Sequence, residues 1–253
     1  MQNKWIKMAK LVWVSPLFFL GCQQNVADEC SPVDAIVCYA DYVDDSKRDR
    51  TIPITVYNRP NKSNSEVVIL SAGYGCSSTE YTYLAQPLAE AGYLVLAVQH
   101  ELATDPILPG GDDLFNKRLP FWEEGKLSVQ AVKAYGAKNF ENYDFNAVHL
   151  IGHSNGGDIS VLFAESFPEQ TKSCTTLDHR RVPMICLGTF KSLSFRGNDF
   201  EADPGVIPPQ TEHERCKIKI VELDAGHNYL RDNATKEIKA IIVSELLTFL
   251  KAD

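Results

Sequence analysis

Residues 147–167 read AVHLIGHSNGGDISVLFAESF, and the reading of this stretch decides the fold. "AVHLI" (147–151) is a short apolar run of the kind that forms a buried strand. "DISVLFAESF" (158–167) places its apolar residues at helical spacing and stops before Pro168. Between them lies Gly152-His153-Ser154-Asn155-Gly156-Gly157. A strand that turns directly into a helix leaves little space beside the turn, so side chains at the flanking positions would collide with the neighbouring strand or helix. The apical residue is forced into an unfavourable backbone conformation. Ser154 holds that apex, as a nucleophile on a strand-to-helix elbow would.

The segments on either side suit such an elbow. "DAIVCYADYV" (34–43) and "RTIPITVYNRP" (50–60) read as two strands joined by the charged turn "DDSKRDR" (44–50). "EVVILS" (66–71) and "YLVLAVQ" (93–99) are apolar runs without alternation, as expected of strands covered on both faces. "EYTYLAQPLAEAG" (80–92) has helical spacing between them, and strand, helix, strand is the rhythm of parallel α/β architecture. Residues 100–125 open with a polar, Pro/Gly-rich stretch and read as a loop or lid insertion, with a helix over "FWEEGKLSVQAVKAYGA" (121–137). "SCTTLD" (173–178), "KSLSFR" (191–196) and "KIKIVEL" (217–223) supply three further strands, and "TKEIKAIIVSELLTFLKA" (235–252) a closing helix. No repeat or shift of composition divides residues 33–253, so one domain is expected.

A serine hydroxyl near neutral pH needs a base. After an elbow of this kind the chain order is serine, acid, histidine, and His227 follows the last strand in "KIKIVELDAGHNYL" (217–230). His213 lies before that strand in the charged run "TEHERCK" and reads as a solvated surface residue. Three aspartates precede His227 at strand ends or just beyond: Asp178, Asp199 and Asp203. Each has an ordinary alternative, Asp178 as the partner of Arg180 or Arg181 and the other two as turn caps. One oxyanion donor should be the backbone N–H of the residue after the nucleophile, Asn155. His100 and Glu101 stand in the wrong order for base and orienter and read as loop-bracing residues. "DDLFNK" (112–117) lacks the ligand spacing of a calcium loop, and with no CxxC pair a zinc site is not expected. No metal and no cofactor is expected.

"LSAGYGCSSTEYTYLAQPLAEAGYLVLAVQHE" (70–101), "IGHSNGG" (151–157), "TLDHRRVP" (176–183) and "GHNYLRD" (226–232), together with "RDRTIPITVYNRP" (48–60), resemble the α/β-hydrolases of the platelet-activating-factor acetylhydrolase type, calcium-independent serine esterases that cleave short acyl esters. The resemblance implies an α/β-hydrolase fold, a mostly parallel central sheet flanked by helices. It places the acid after the strand that follows the elbow, on Asp178, with Asp199 as the alternative. It also implies a second oxyanion donor at Tyr74, within "AGYG" (72–75), where Ala72 replaces the family's histidine. Tyr74 and Tyr81 are otherwise expected to pack or to line an acyl pocket.

The first residues carry Lys4, Lys7 and Lys10, an apolar run from Leu11 to Leu20, and Gly21-Cys22. This is the layout of a secretory signal over residues 1–21. "FFLGC" (18–22) resembles a bacterial lipobox, although Phe19 departs from its usual aliphatic residue, and implies lipidation at Cys22 followed by a polar tether over 22–32. With Gln23 rather than Asp after the cysteine, the resemblance implies the outer membrane. Removing residues 1–21, which hold three lysines and no acids, takes the formal charge from −8 to −11. That acidity argues against nucleic acid and against adhesion to anionic lipid, leaving the acyl anchor as the tie to the membrane. Cys30, Cys38, Cys76, Cys174, Cys186 and Cys216 then remain for disulfides in an oxidising compartment, with Cys30–Cys38 the most local pair.

The sequence thus leads to the expectation of a serine hydrolase of small carboxylic esters, acting through Ser154, His227 and Asp178 and an acyl-enzyme. A peptidase or amidase would use the same triad. A non-catalytic envelope lipoprotein that kept the fold would show a broken one.

Overall fold

The computed structural model describes residues 36–60, 64–184 and 186–252. The signal segment, Cys22, the tether and Cys30 lie outside the described residues. Eight strands form one sheet: β1 (Val37–Asp45), β2 (Arg50–Asn58), β3 (Val67–Ser71), β4 (Leu94–Val98), β5 (Val148–His153), β6 (Thr171–Leu177), β7 (Lys191–Arg196) and β8 (Ile218–Glu222). Their order is β1-β2-β4-β3-β5-β6-β7-β8. β1 pairs antiparallel with β2, and β2 antiparallel with β4; every later pairing is parallel.

Four helices cover the sheet: α1 (Thr82–Glu90), α2 (Leu114–Asn139), α3 (Asn155–Ser166) and α4 (Lys236–Lys251). The unbroken apolar runs follow from this double cover. In β3, Val68 and Leu70 face a core shared with Leu84 and Leu88 of α1 and Ile242 and Leu246 of α4. Val67 and Ile69 face the opposite core, with Val129 and Val132 of α2 and Ile159 and Phe163 of α3. All five β3 residues are buried, as a strand packed on both faces requires.

The expected lid over 100–125 is shorter than the sequence suggests, because α2 begins at Leu114 and runs through Pro120. Proline removes one helical hydrogen bond, but Phe115, Leu119 and Trp122 lie one helical turn apart and pack onto the core. That burial holds the helix together across the proline. Cys186 and Cys216 form a disulfide, whereas Cys76 and Cys174 are free thiols, so pairing among the later cysteines is less complete than their number allows. No helix among the described residues is long and apolar enough to cross a membrane.

Candidate active site

Ser154 ends the turn between β5 and α3 with φ 53° and ψ −121°, in the left-handed region that costs a side-chain-bearing residue on the order of 1–3 kcal/mol. Its N–H donates to Leu177 O of the neighbouring strand at 2.9 Å. The glycines are required by space. A Cβ on Gly152 would stand 2.2 Å from Gly156 O, and one on Gly156 would stand 2.3 Å from both Ser71 O and Ala72 O. The helix therefore starts pressed against β3 and β5, and the Ser154 hydroxyl is left at the C-terminal edge of the parallel strands.

His227 opens a short 3-10 turn after β8. Its Nε2 lies 2.8 Å from Ser154 Oγ, and its Nδ1 lies 2.6 Å from Asp178 Oδ2. The loop carrying it is tied to α1: Asp232 accepts the N–H groups of Thr82 and Tyr83, both at 2.9 Å, and the Tyr83 hydroxyl donates to Leu230 O at 2.9 Å. His213 is elsewhere, donating to Pro208 O at 2.8 Å.

Asp178 follows β6 directly, fully buried and at φ 55°. Arg180 Nη2 donates to Asp178 Oδ2 at 2.6 Å, Arg196 Nη2 pairs with Oδ1 at 3.0 Å, and Gly197 N–H donates to Oδ1 at 3.1 Å. Burial alone would raise its pKa, but the hydrogen bond from His227 and the Arg196 and Arg180 guanidiniums outweigh it and hold the carboxyl well below the usual range. An ionised carboxylate only accepts, so His227 Nδ1 carries the proton and Nε2 presents its lone pair to the serine hydroxyl. The ordinary alternative for Asp178, pairing with Arg180, coexists with its contact to His227.

Asp199 contacts the main chain of His227 and not its ring: Oδ1 accepts the His227 N–H at 3.0 Å and a bond from Arg180 Nη2 at 3.2 Å. Asp203 stands off with Arg181 at 3.5 Å.

Asn155 is clamped from two sides. Trp122 Nε1–H donates to its Oδ1 at 2.7 Å, and its Nδ2 donates to Glu101 Oε1 at 2.7 Å. As the first residue of α3 its N–H has no intrahelical acceptor. The Tyr74 N–H donates to nothing among the described residues. Tyr74 is exposed, and its hydroxyl accepts the Leu108 N–H at 3.1 Å.

Tyr81, His153 and Arg196 make contacts that the sequence did not signal. Tyr81 packs in the core; its hydroxyl accepts the Gly73 N–H at 3.0 Å and donates to His153 Nδ1 at 2.9 Å, while His153 Nε2–H donates to His227 O at 3.0 Å. Burial first, and the neighbouring His227 second, push His153 down to about 3, so it is neutral. This relay fastens the loop of Tyr74 to the backbone of His227, on the side where Ala72 offers no side-chain donor. Beyond its loop, Glu101 holds Asn155, and His100 beside it has no side-chain partner among the described residues. Arg196 had no signal beyond its place at the end of the strand "KSLSFR" (191–196).

A pocket of about 250 Å³ adjoins Asn155 and Tyr74. A broader, more open depression of about 680 Å³, lined by Glu66, Tyr93, His149 and Lys217, lies at the opposite edge of the sheet, away from Ser154. No group of three His, Cys, Asp or Glu side chains among the described residues is placed to hold a metal ion.

No protein-family model and no curated protein matches the chain. Solved structures do. A ferulic acid esterase from Streptomyces cinnamoneus superposes with a TM-score of 0.66 at 15% identity, covering 87% of this chain and 91% of that one. A putative dienelactone hydrolase from Klebsiella pneumoniae gives 0.59 at 17% identity, over 87% of this chain and 100% of that one. One of two fungal esterases from Rhizomucor miehei gives 0.62 at 11% identity, over 85% and 83%. At such identities the likeness speaks for architecture alone, and with the sheet order and the helices on both faces it establishes that this chain has the α/β-hydrolase fold.

Proposed function

We propose that the protein is a serine hydrolase of small carboxylic esters, of the short-acyl type that the resemblance to platelet-activating-factor acetylhydrolases implies. The observation that carries the reading is the continuous hydrogen-bonded line from Ser154 Oγ through His227 to the buried Asp178, at 2.8 and 2.6 Å. Ser154 attacks the ester carbonyl while His227 Nε2 takes its proton. Asp178 keeps Nδ1 protonated and stabilises the imidazolium. The N–H groups of Asn155 and Tyr74 receive the oxyanion, and His227 returns the proton to the leaving alcohol. Water, deprotonated by the same imidazole, then releases the acid from the acyl-enzyme. The esterase names among the structural neighbours agree with this chemistry, and the unbroken line argues against a fold retained only for binding.

A fluorophosphonate should label Ser154 stoichiometrically, and the chain should turn over p-nitrophenyl acetate, with both signals lost in Ser154→Ala. An unlabelled serine together with no turnover of short esters refutes the reading.

We also propose that the enzyme is anchored through acylated Cys22 in a bacterial envelope, facing the periplasm from the outer membrane. Its support is the basic, apolar and Gly-Cys order of residues 1–22. Intact-mass and peptide spectra should find a diacylglyceryl Cys22 at the mature N-terminus; an unmodified terminus elsewhere overturns it.

A further inference from the structure

The pocket beside Asn155 and Tyr74 has polar groups that the proposed triad does not use. Pro106, Leu108, Pro120, Phe121 and Ile159 form its apolar wall, and Glu101, His100, Arg50, Asp105, Glu124 and Ser128 its polar one. Its volume of about 250 Å³ lies below the roughly 300–1,000 Å³ of pockets for drug-sized ligands, so it suits a short substituent.

Three buried polar atoms there have no hydrogen-bond partner among the described residues: Glu101 Oε2, His100 Nδ1 and His100 Nε2. Leaving such atoms unmatched is costly, and each calls for a ligand group or a reason. His100 is only 5% exposed. Burial, with Arg50 and Arg48 behind it, pushes the imidazole down to about 3, so one of its nitrogens is an acceptor.

The charges around the pocket identify what is missing. Arg50 is bound at both ends of its guanidinium by Asp105, at 2.6 and 2.7 Å. Arg48 lies between Asp45 and Glu124, at 2.6 and 3.0 Å. Among the described residues Glu101 alone of these acids pairs with no cation; its Oε1 takes the Asn155 amide and its Oε2 takes nothing. Burial pushes its carboxyl up to about 7. With Arg50 and Arg48 already matched by other acids, an acceptor pair beside an apolar wall asks for a group that is positive and also donates hydrogen bonds.

We propose that this pocket is a subsite for a protonated primary amine on a short apolar stem, held by Glu101 Oε2 and the acceptor nitrogen of His100. A quaternary ammonium offers no N–H to either acceptor, and a hydroxyl leaves the carboxylate without a counter-charge. As Glu101 also holds Asn155, the amine sits one hydrogen bond from a proposed oxyanion donor. On the hydrolase reading, amino-substituted esters form the favoured substrate class; the binding itself does not depend on that reading.

The test is calorimetric titration of the full chain at pH 8 with n-butylammonium, n-butanol and tetramethylammonium. The primary amine should bind at least roughly tenfold more tightly than either of the others, the ratio expected when one charge-assisted hydrogen bond is gained. Glu101→Gln, which keeps an acceptor for Asn155, should cost the amine about tenfold and leave butanol unchanged. Leu108→Trp, a plug at the pocket wall that leaves Glu101 in place, should weaken all ligands and serves if the first variant does not fold. Equal affinities for amine and alcohol, or amine binding that survives both variants, overturn the subsite. Heats of binding are read without turnover, so failure to label Ser154 would remove the hydrolase reading and leave this result standing.

Discussion

Asp178→Asn is expected to lower kcat/KM for a short p-nitrophenyl ester by about 10⁴, while Asp199→Asn costs roughly tenfold or less. The first figure is the size of the loss when the acid of a serine triad is replaced by its amide, which favours the wrong imidazole tautomer. Here the amide nitrogen would also face Arg180 and Arg196, both now paired with the carboxylate, and some loss of stability should accompany the loss of rate. The comparison with Asp199 separates chemistry from scaffold. Of His227, Asp199 touches only the main-chain N–H, so its amide retains an oxygen for that bond and leaves the ring's partner in place. Kinetics at equal folded fraction, set by near-UV circular dichroism, reads the difference. If the two variants lose rate alike, or if Asp199→Asn loses the more, the acid lies at the end of β7 and the proposed role of Asp178 is wrong.

The choice between the two aspartates is not written locally in the chain. The elbow was legible because its requirement is local: a strand, a turn without space and a helix lie within 21 consecutive residues, and the glycines record the turn. The double-faced strands were legible for the same reason, since a run such as "VVILS" states its own burial. The acid was not, because the ends of β6 and β7 are both next to the loop of His227. Which carboxylate meets the ring depends on a few ångströms of tertiary placement. The early start of α2 was hidden by Pro120, although Phe115, Leu119 and Trp122 already had helical spacing. Tyr81, His153 and Arg196 escaped because their partners lie far away in the chain, and no pattern along the sequence records a hydrogen bond across 72 residues.

The same buried polar groups make the fold sensitive to acid. Lowering the pH from 7 to 5 is expected to reduce unfolding stability by about 4 kcal/mol, a large part of the roughly 5–15 kcal/mol typical of a domain. His100, His153 and His179 are buried and pushed down to about 3, and His149 to about 4, with burial the main cause in each. In the unfolded chain each titrates near the ordinary value of about 6.5. Between those limits the unfolded state takes up protons that the folded state cannot, so each imidazole removes about 2 kcal/mol over the interval. Two carboxyls work the other way. Burial raises Glu101 to about 7 and Asp158 to about 6, so the folded state takes up their protons first and gains about 1–2 kcal/mol from each as the pH falls. The histidines prevail by number. Asp178 contributes almost nothing in this window, because its depressed pKa withdraws stability only below about 5, where the unfolded carboxyl begins to protonate. Urea unfolding at the two pH values, followed by tryptophan fluorescence, measures the outcome. A midpoint that holds steady or rises at pH 5 would mean that these imidazoles take up protons inside the fold, and the neutral His153 bridging Tyr81 and His227 would have to be given up with them.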